Sequence, residues 1–286
     1  MSNSLIADSG ATKTDWCLVL ANGNTQLFHT DGISPHYQTE DEIYHTLNTQ
    51  LLPLLESIAP IEQLYFYGTG CSSEANQTRV AAALSRAFPV TSACEVNHDL
   101  LGTARALFGT QTGMVGILGT GSNAALYQAP NKLNAALPNL GFWLGDEGSA
   151  GFFGKQLVID YMHGQMPGPM QRDFQQRYHI NLETLLENVY QKPFPNRYLA
   201  GFAPFLQIHD SEPYCSGLLR QGFGLFLDKY ICALPDYTQH PLGLSGSVAL
   251  HHQVLLGQLC KSRGIKLSKV LQSPIEGLVN YHRQTA

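Results

Sequence analysis

The chain of 286 residues has no basic excess, no long apolar run and no closely spaced cysteine pair, and each absence removes a class of function. Its 17 lysines and arginines stand against 22 aspartates and glutamates, a formal net charge of −5 without a long block of either sign. Proteins that bind nucleic acid through its phosphates carry a basic face, so no nucleic-acid partner is expected. Nor is a membrane partner expected, because no run approaches the roughly 18 apolar residues of a spanning helix. The six cysteines, Cys17, Cys71, Cys94, Cys215, Cys232 and Cys260, form no C-x-x-C pair and no cluster. Their spacing excludes disulfide scaffolds and zinc ribbons and leaves free thiols as the expectation. The opening residues Met1 to Asp8 lack the basic and apolar regions of a secretory signal, and a cytoplasmic location is expected. Charged residues are only 14% of the chain and hydrophobic ones 44%, enough to bury a sizeable core in one large domain or two lobes.

A repeated pattern organises the chain. Leu5 to Ala7 reads as a strand that ends in Asp8-Ser9-Gly10-Ala11-Thr12-Lys13-Thr14, and Trp16 to Leu20 and Thr25 to Thr30 follow as further strands. About 110 residues later, Met114 to Leu118 runs into Gly119-Thr120-Gly121-Ser122-Asn123, followed by a strand Ala124 to Tyr127 and a polar turn to Lys132. Strand, small-residue turn, strand and polar turn thus occur twice, which suggests a duplicated lobe. Between the copies, a helix is predicted from Asp41 to Ile58, kinked at Pro53. Strands near Leu64 to Tyr67 and Cys94 to Asn97 alternate with helices near Glu74 to Phe88 and Leu100 to Phe108, which argues for an α/β lobe. Beyond residue 150 the sequence reads as mostly helical, with breaks at Met166 to Pro169, Lys192 to Pro195 and Leu242 to Gly246.

Several segments have the residue types of a phosphate-handling site. Gly10 permits close backbone approach, Thr12 and Thr14 add hydroxyl donors, and Lys13 adds a cation. Asp8, at a strand end, could hold Mg²⁺ through water, because Mg²⁺ takes one or two carboxylates and keeps much of its hydration shell. A solvated hairpin in which Asp8 bonds its own turn would use the same residues. The turn is not a P-loop, since Thr12 stands where the glycine before the lysine is required. Gly119 to Ala124 fits G-x-G-x-x-A, yet a strand rather than a helix is predicted to follow, so a dinucleotide fingerprint is discounted. Asp99 sits at a strand-to-helix junction, where it can be an N-cap and, compatibly with that, a carboxylate able to accept a hydroxyl proton. Gly145-Asp146-Glu147-Gly148-Ser149-Ala150 combines two carboxylates with the neighbouring Phe142 and Trp143, opening a helix from about Ser149 to His163. Gly246-Ser247-Val248-Ala249 opens another helix with small residues. There is no G-x-S-x-G elbow or H-E-x-x-H pair, and the eleven histidines show no ligand spacing.

In this order, the segments Asp8 to Thr14, Asp99 to Ala106, Gly119 to Asn123, Gly145 to Ala150 and Gly246 to Ala249 resemble the N-acetylglucosamine kinase branch of the BadF/BadG/BcrA/BcrD group. That group lies within the actin, sugar-kinase and Hsp70 superfamily, and the match spans essentially the whole chain. The resemblance implies an α/β, two-lobed actin-like ATPase fold of the ribonuclease H-like kind, with duplicated lobes and an interlobe cleft. Residues 1–110 would form the N-terminal lobe and 111–273 the C-terminal lobe, with a last helix of about 274–286 returning to the first. The implied activity is ATP-dependent formation of N-acetylglucosamine 6-phosphate, with ATP and Mg²⁺ as cofactors and an amino sugar as substrate. Asp99 would be the catalytic base and Asp8 would lie beside the metal. Gly10, Thr12, Lys13, Thr120, Gly121, Gly246 and Ser247 would bind ATP. Ser34, Asp99, Ser122, Asn123, Asn139, Leu140, Gly141 and Asp146 would line the sugar site.

Relatives often carry an asparagine in the segment corresponding to Gly32-Ile33-Ser34-Pro35-His36, whereas this chain has Ser34, which leaves the choice of amino sugar open. N-acetylmuramate and glucosamine are alternative substrates. An ATP-driven activator of a dehydratase is a rival from another class, but the dispersed cysteines supply no evident set of iron–sulfur ligands. A non-catalytic sugar sensor is a further rival, whose expected mark would be loss of the acid at position 99, where Asp99 is present. Dimers are common for such folds, although no sequence feature requires one.

Overall fold

A computed structural model describes residues 3–55, 60–88 and 93–285. The chain divides into two compact units: one holds the residues up to Thr112, Tyr127–Leu133 and the segment from Ser273 onward, and the other holds Gly113–Leu126 and Asn134–Gln272.

The first unit is built on β1 (Ser4–Ser9), β2 (Lys13–Val19), β3 (Thr25–Asp31), β4 (Gln63–Gly68) and β5 (Ala93–His98), in the order β3-β2-β1-β4-β5. β1, β2 and β3 form an antiparallel meander, whereas β4 and β5 run parallel to β1. Helices α1 (Glu40–Thr46), α2 (Leu52–Leu55) and α3 (Glu74–Ala87) cover one face. There Leu5, Ala7, Trp16, Leu18, Leu64 and Phe66 share a core with Ile43, Leu47, Leu51, Val80 and Leu84. The other face receives α4 (Asp99–Phe108) and the C-terminal helix Ile275–Thr285. Burial on both faces explains why β1 and β4 are nearly continuous apolar runs.

The predicted helix from Asp41 is interrupted by a π turn, Leu47–Leu51, ahead of Pro53, and its predicted end at Ile58 lies outside the described residues. Pro53 has no N–H to continue the ladder, and the backbone accommodates it one turn earlier, where the Leu52 N–H reaches Leu47 O. The C-terminal helix lies against α4 so closely that a Cβ on Gly277 would sit 2.6 Å from Ala106 O. Beneath it, buried Arg105 donates to Tyr67 Oη and, at 2.5 Å, to Asn131 Oδ1, and Tyr67 in turn donates to His282 Nε2 at 2.9 Å. Burial, reinforced by Arg105, pushes the His282 imidazole down to about 4, so it accepts that bond as the neutral ring.

A second sheet, whose β6, β9 and β10 lie in the second unit, repeats the first: β6 (Gly113–Leu118), β7 (Ser122–Gln128), β8 (Lys132–Asn134), β9 (Pro241–Ser245) and β10 (Lys266–Leu271), ordered β8-β7-β6-β9-β10. Taken strand by strand, both sheets follow the spatial order 3-2-1-4-5, and the fourth and fifth strands run parallel to the first and fourth in each. The duplication seen in two hairpins therefore extends to whole sheets. Between β8 and β9 are inserted α5 (Gly141–Leu144), α6 (Ala150–Met162), α7 (Gly168–Tyr178), α8 (Leu182–Tyr190), α9 (Pro195–Ala200), α10 (Pro204–Ile208) and α11 (Pro213–Phe226). A π turn, Leu227–Ile231, extends α11. α12 (Ser247–His251) and α13 (Gln253–Lys261) separate β9 from β10, and the C-terminal helix is α14. Phe153, Phe174, Phe205, Phe223 and Phe226 fill the core with Met114, Leu118 and Leu244.

The segment beyond residue 150 is mostly helical, but the break read at Leu242 to Gly246 is corrected here, since Leu242 to Ser245 belongs to β9. This strand is short, begins with a proline where no ladder donor is needed, and is buried in a parallel sheet, so it shows no alternation. Among the described residues no helix is long and apolar enough to cross a membrane. All six cysteines are free thiols.

Candidate active site

In the first unit, the parallel strands β1, β4 and β5 end together. Asp8 pairs in register with Tyr67, and Tyr67 with Asn97, so Asp8 and the start of α4 lie two strand spacings apart, about 10 Å. Loops at such strand ends are where open α/β sheets bind ligands. The turn after β1 closes with Gly10 N–H on Lys13 O at 2.9 Å. The segment Gly32–Ser34 is laid directly over it. A Cβ on Gly32 would fall 2.5 Å from Gly10 O, the Gly32 N–H reaches Thr12 O at 3.0 Å, and Ser9 Oγ accepts the Ile33 N–H at 3.1 Å. Ser34 is thereby buried beside the turn, its N–H held by Gln38 Oε1 at 2.7 Å. From the other side the Thr69 N–H bonds Ser9 O at 2.9 Å, bringing the β4–α3 loop to the same corner.

The charges at this corner are unbalanced. Asp15 faces Asp8 across the β1–β2 pair and is buried, yet it accepts from Lys13 Nζ at 3.0 Å and Ser273 Oγ at 2.9 Å, with His29 Nδ1 at 2.8 Å. Burial alone would raise its carboxyl, but bonds from Lys13, Ser273 and His29 outweigh that and hold it below the usual range. Asp8 behaves in the opposite way. Burial, then repulsion from Asp99 and Asp15, pushes its carboxyl up to about 8, and Lys13, already bonded to Asp15, offsets little. Asp99 occupies the first turn of α4, its Oδ1 accepting the Leu100 N–H at 2.7 Å. The N-cap is His98, one residue earlier than the sequence suggested, because its backbone is still extended and its ring nitrogen accepts the same N–H at 3.2 Å.

In the second unit, the turn between β6 and β7 spans Gly119 to Gly121 and is closed by Gly119 N–H on Gly121 O at 3.0 Å. The start of α6 docks on it, with the Ala150 N–H on Gly119 O at 2.8 Å and the Gly151 N–H on Thr120 O at 3.0 Å. Asp146 is a non-glycine residue with φ 59, and its carboxylate lies against the turn, 2.8 Å from where a Gly121 Cβ would be. Asn139 ties the preceding loop to β7, donating to Ser122 O at 3.1 Å and accepting the Gly141 N–H at 2.7 Å. Gly246, with φ 114, caps α12 where a Cβ would stand 2.3 Å from Leu118 O and 3.2 Å from the Gly119 N.

The candidate residues therefore fall into two groups. Asp8, Gly10, Thr12, Lys13, Ser34 and Asp99 meet at the strand ends of the first unit. Thr120, Gly121, Ser122, Asn123, Asn139, Leu140, Gly141, Asp146, Gly246 and Ser247 meet around the β6–β7 turn. Ser122 and Asn123 lie in β7 rather than in the turn; the Ser122 hydroxyl is buried without a hydrogen-bond partner, and Asn123 Oδ1 accepts the Ala124 N–H at 2.9 Å. Sequence reasoning missed Asp15, although its two-residue spacing from Lys13 on β2 places both side chains on one face. It also missed Ser273, Lys229 and Tyr230, for which distance along the chain left no signal. Glu147, one of the two carboxylates ahead of the predicted helix at Ser149, accepts from Lys229 Nζ at 2.5 Å and Tyr230 Oη at 2.6 Å.

Comparison with solved structures places this architecture among known folds. The chain is 41% identical to a candidate N-acetylglucosamine kinase from Porphyromonas gingivalis, with a TM-score of 0.90 and 98% of each chain covered. A candidate N-acetylglucosamine kinase from Chromobacterium violaceum is 16% identical with a TM-score of 0.77, over 98% of this chain and 99% of that one. The ROK hexokinase of Thermus thermophilus shares the fold at 10% identity and a TM-score of 0.54, over 99% of this chain and all of its own. No protein-family model and no curated protein matches the sequence.

Proposed function

The chain belongs to the actin-like sugar kinase family of the Porphyromonas gingivalis candidate N-acetylglucosamine kinase, and from that premise we propose that it phosphorylates the 6-hydroxyl of N-acetylglucosamine with ATP. The observation that carries the reading is the placing of Asp8 and Asp99 two strand spacings apart at the ends of parallel strands, next to a glycine turn whose only lysine is already bonded to Asp15. Phosphoryl transfer asks a protein chiefly to position its substrates and stabilise charge, and one base suffices for the acceptor.

Asp99 is the base. The contacts of Leu100 and His98 both fall on its Oδ1, and the side chain keeps 18% of its surface exposed at the helix start. There its carboxylate would accept the proton of the sugar 6-hydroxyl as that oxygen bonds the γ-phosphorus of ATP and the bond from the γ-phosphorus to the β-phosphate oxygen breaks, leaving ADP. In the first unit Gly10, Thr12 and Lys13, and in the second Thr120 and Gly121, are the residues assigned to the ATP phosphates. Gly246 and Ser247 would sit beside the adenosine. In the second unit Asp146, Asn123 and the Asn139–Gly141 loop are assigned to the sugar hydroxyls and Ser122 acts through the carbonyl that fixes Asn139, while Ser34 is the sugar contact assigned to the first unit.

The fold family implies Mg²⁺, and the donors present suit it. Asp8 is a hard carboxylate whose charge is opposed by two neighbouring acids, so a divalent cation would relieve the repulsion that raises its carboxyl. Among the described residues no group of three or more His, Cys, Asp or Glu side chains is placed to hold a metal ion, so Asp8 would be its one named protein ligand here. When bound, Mg²⁺ supplies neutralisation of phosphate charge during transfer.

Product analysis tests the assignment. With N-acetylglucosamine and ATP, the phosphorus of the product should couple to the C6 protons in NMR spectra, and 6-deoxy-N-acetylglucosamine should accept no phosphate. Phosphate at C1 or C3, or turnover of the 6-deoxy sugar, would refute it.

A further inference from the structure

We propose that Glu147, Lys229 and Tyr230 form a clamp that positions Asp146 for sugar binding; the inference rests on the sugar-kinase reading above. Asp146 adopts a left-handed backbone, φ 59, that side-chain-bearing residues seldom hold unless their surroundings impose it. The next residue, Glu147, is only 7% exposed, and both its oxygens are taken: Oε1 by Lys229 Nζ at 2.5 Å and Oε2 by Tyr230 Oη at 2.6 Å. The same Tyr230 hydroxyl lies 3.3 Å from where a Gly145 Cβ would be, so it bears on the backbone immediately before Asp146. On the far side, the Ser149 N–H closes the loop onto Asp146 O at 3.1 Å.

Two consecutive residues reaching one carboxylate is not what an α-helix offers, because adjacent side chains there diverge by about 100°. Here α11 widens into the π turn Leu227–Ile231, closed by Cys232 N–H on Leu227 O at 2.8 Å, and Lys229 and Tyr230 are its central residues. Isolated π turns of this kind recur at functional sites. The clamp keeps Glu147 ionised, since the bonds from Lys229 and Tyr230 outweigh the effect of burial and hold its carboxyl below the usual range. Glu147 and its two partners act through Asp146 and are positioning residues.

Steady-state kinetics with N-acetylglucosamine and ATP varied separately, together with melting temperatures, test this in wild type, Glu147→Gln, Lys229→Met and Lys229→Arg. Loss of the charged bond should raise KM for the sugar about tenfold in Glu147→Gln and Lys229→Met, leave KM for ATP within about twofold, and be largely rescued in Lys229→Arg. Lys229 is half exposed and Tyr230 still holds Glu147, so Lys229→Met should fold with a lowered melting temperature, and a rise confined to the sugar KM that Lys229→Arg reverses decides the matter even where Glu147→Gln folds poorly. An unchanged sugar KM, or a rise in both KM values together with a lower melting temperature, would overturn the clamp while leaving the kinase reading standing. A wild-type protein that releases no ADP with any amino sugar would overturn both.

Discussion

Replacing Asp8 with asparagine should stabilise the metal-free protein, and the gain should grow with pH. The folded carboxyl is pushed from its ordinary 3.8 up to about 8, by burial first and then by Asp99 and Asp15. Between those values the folded chain keeps a proton at Asp8 that the unfolded chain has released, so stability falls as pH rises from about 4 to about 8. At about 1.4 kcal/mol per pKa unit, the loss between pH 5 and pH 8 has a ceiling of about 4 kcal/mol. Asp8 is partly exposed, and water screens it, so about 2 kcal/mol is the expected change. An asparagine side chain there has the same shape and does not titrate. Urea unfolding of wild type and Asp8→Asn in EDTA, at pH 5, 6.5 and 8, should show the variant's advantage widening by that amount. Restoring Mg²⁺ with nucleotide should narrow it, because only the carboxylate gains a cation. A stability difference that stays flat with pH, or an Asp8→Asn protein less stable than wild type at pH 8 without divalent ions, would refute the electrostatic argument.

Two further substitutions probe the site. Asp99→Asn retains the bond to the Leu100 N–H but cannot accept a proton, and kcat should fall by about 10² to 10⁴ with an unchanged melting temperature; near-normal turnover would remove Asp99 from the mechanism. Gly246→Ala would force a side chain onto φ 114 and to 2.3 Å from Leu118 O. It should cost about 3 kcal/mol, lower the melting temperature by roughly 5 to 10 °C and weaken nucleotide binding measured by calorimetry; an unperturbed variant would show that the β6 end tolerates displacement there.

The strand–turn–strand units were legible because their signals are local: apolar runs broken by Gly10 or by Gly119 and Gly121. Asp8 and Asp99 could be singled out for the same reason, as acids at strand ends. β9 was not legible, since Pro241-Leu242-Gly243-Leu244-Ser245 has the composition of a turn and becomes a strand only when β6 and β10 supply its partners. The state of Lys13 was hidden too. Its bond to Asp15 depends on β2, and the aspartate's further bond to Ser273 joins residues 258 apart in sequence. Likewise nothing near Glu147 in sequence pointed to Lys229 and Tyr230, which the π turn at Leu227 brings to it. In each case the missing information was a contact that only the folded chain creates.

The most direct test of the central claim is ADP release from ATP and Mg²⁺ by the purified protein, measured in parallel with no sugar, N-acetylglucosamine, glucosamine, N-acetylmuramate and glucose. Release that depends on N-acetylglucosamine, and exceeds that with the other sugars, is the expected result. Slow release indifferent to every sugar would contradict the account.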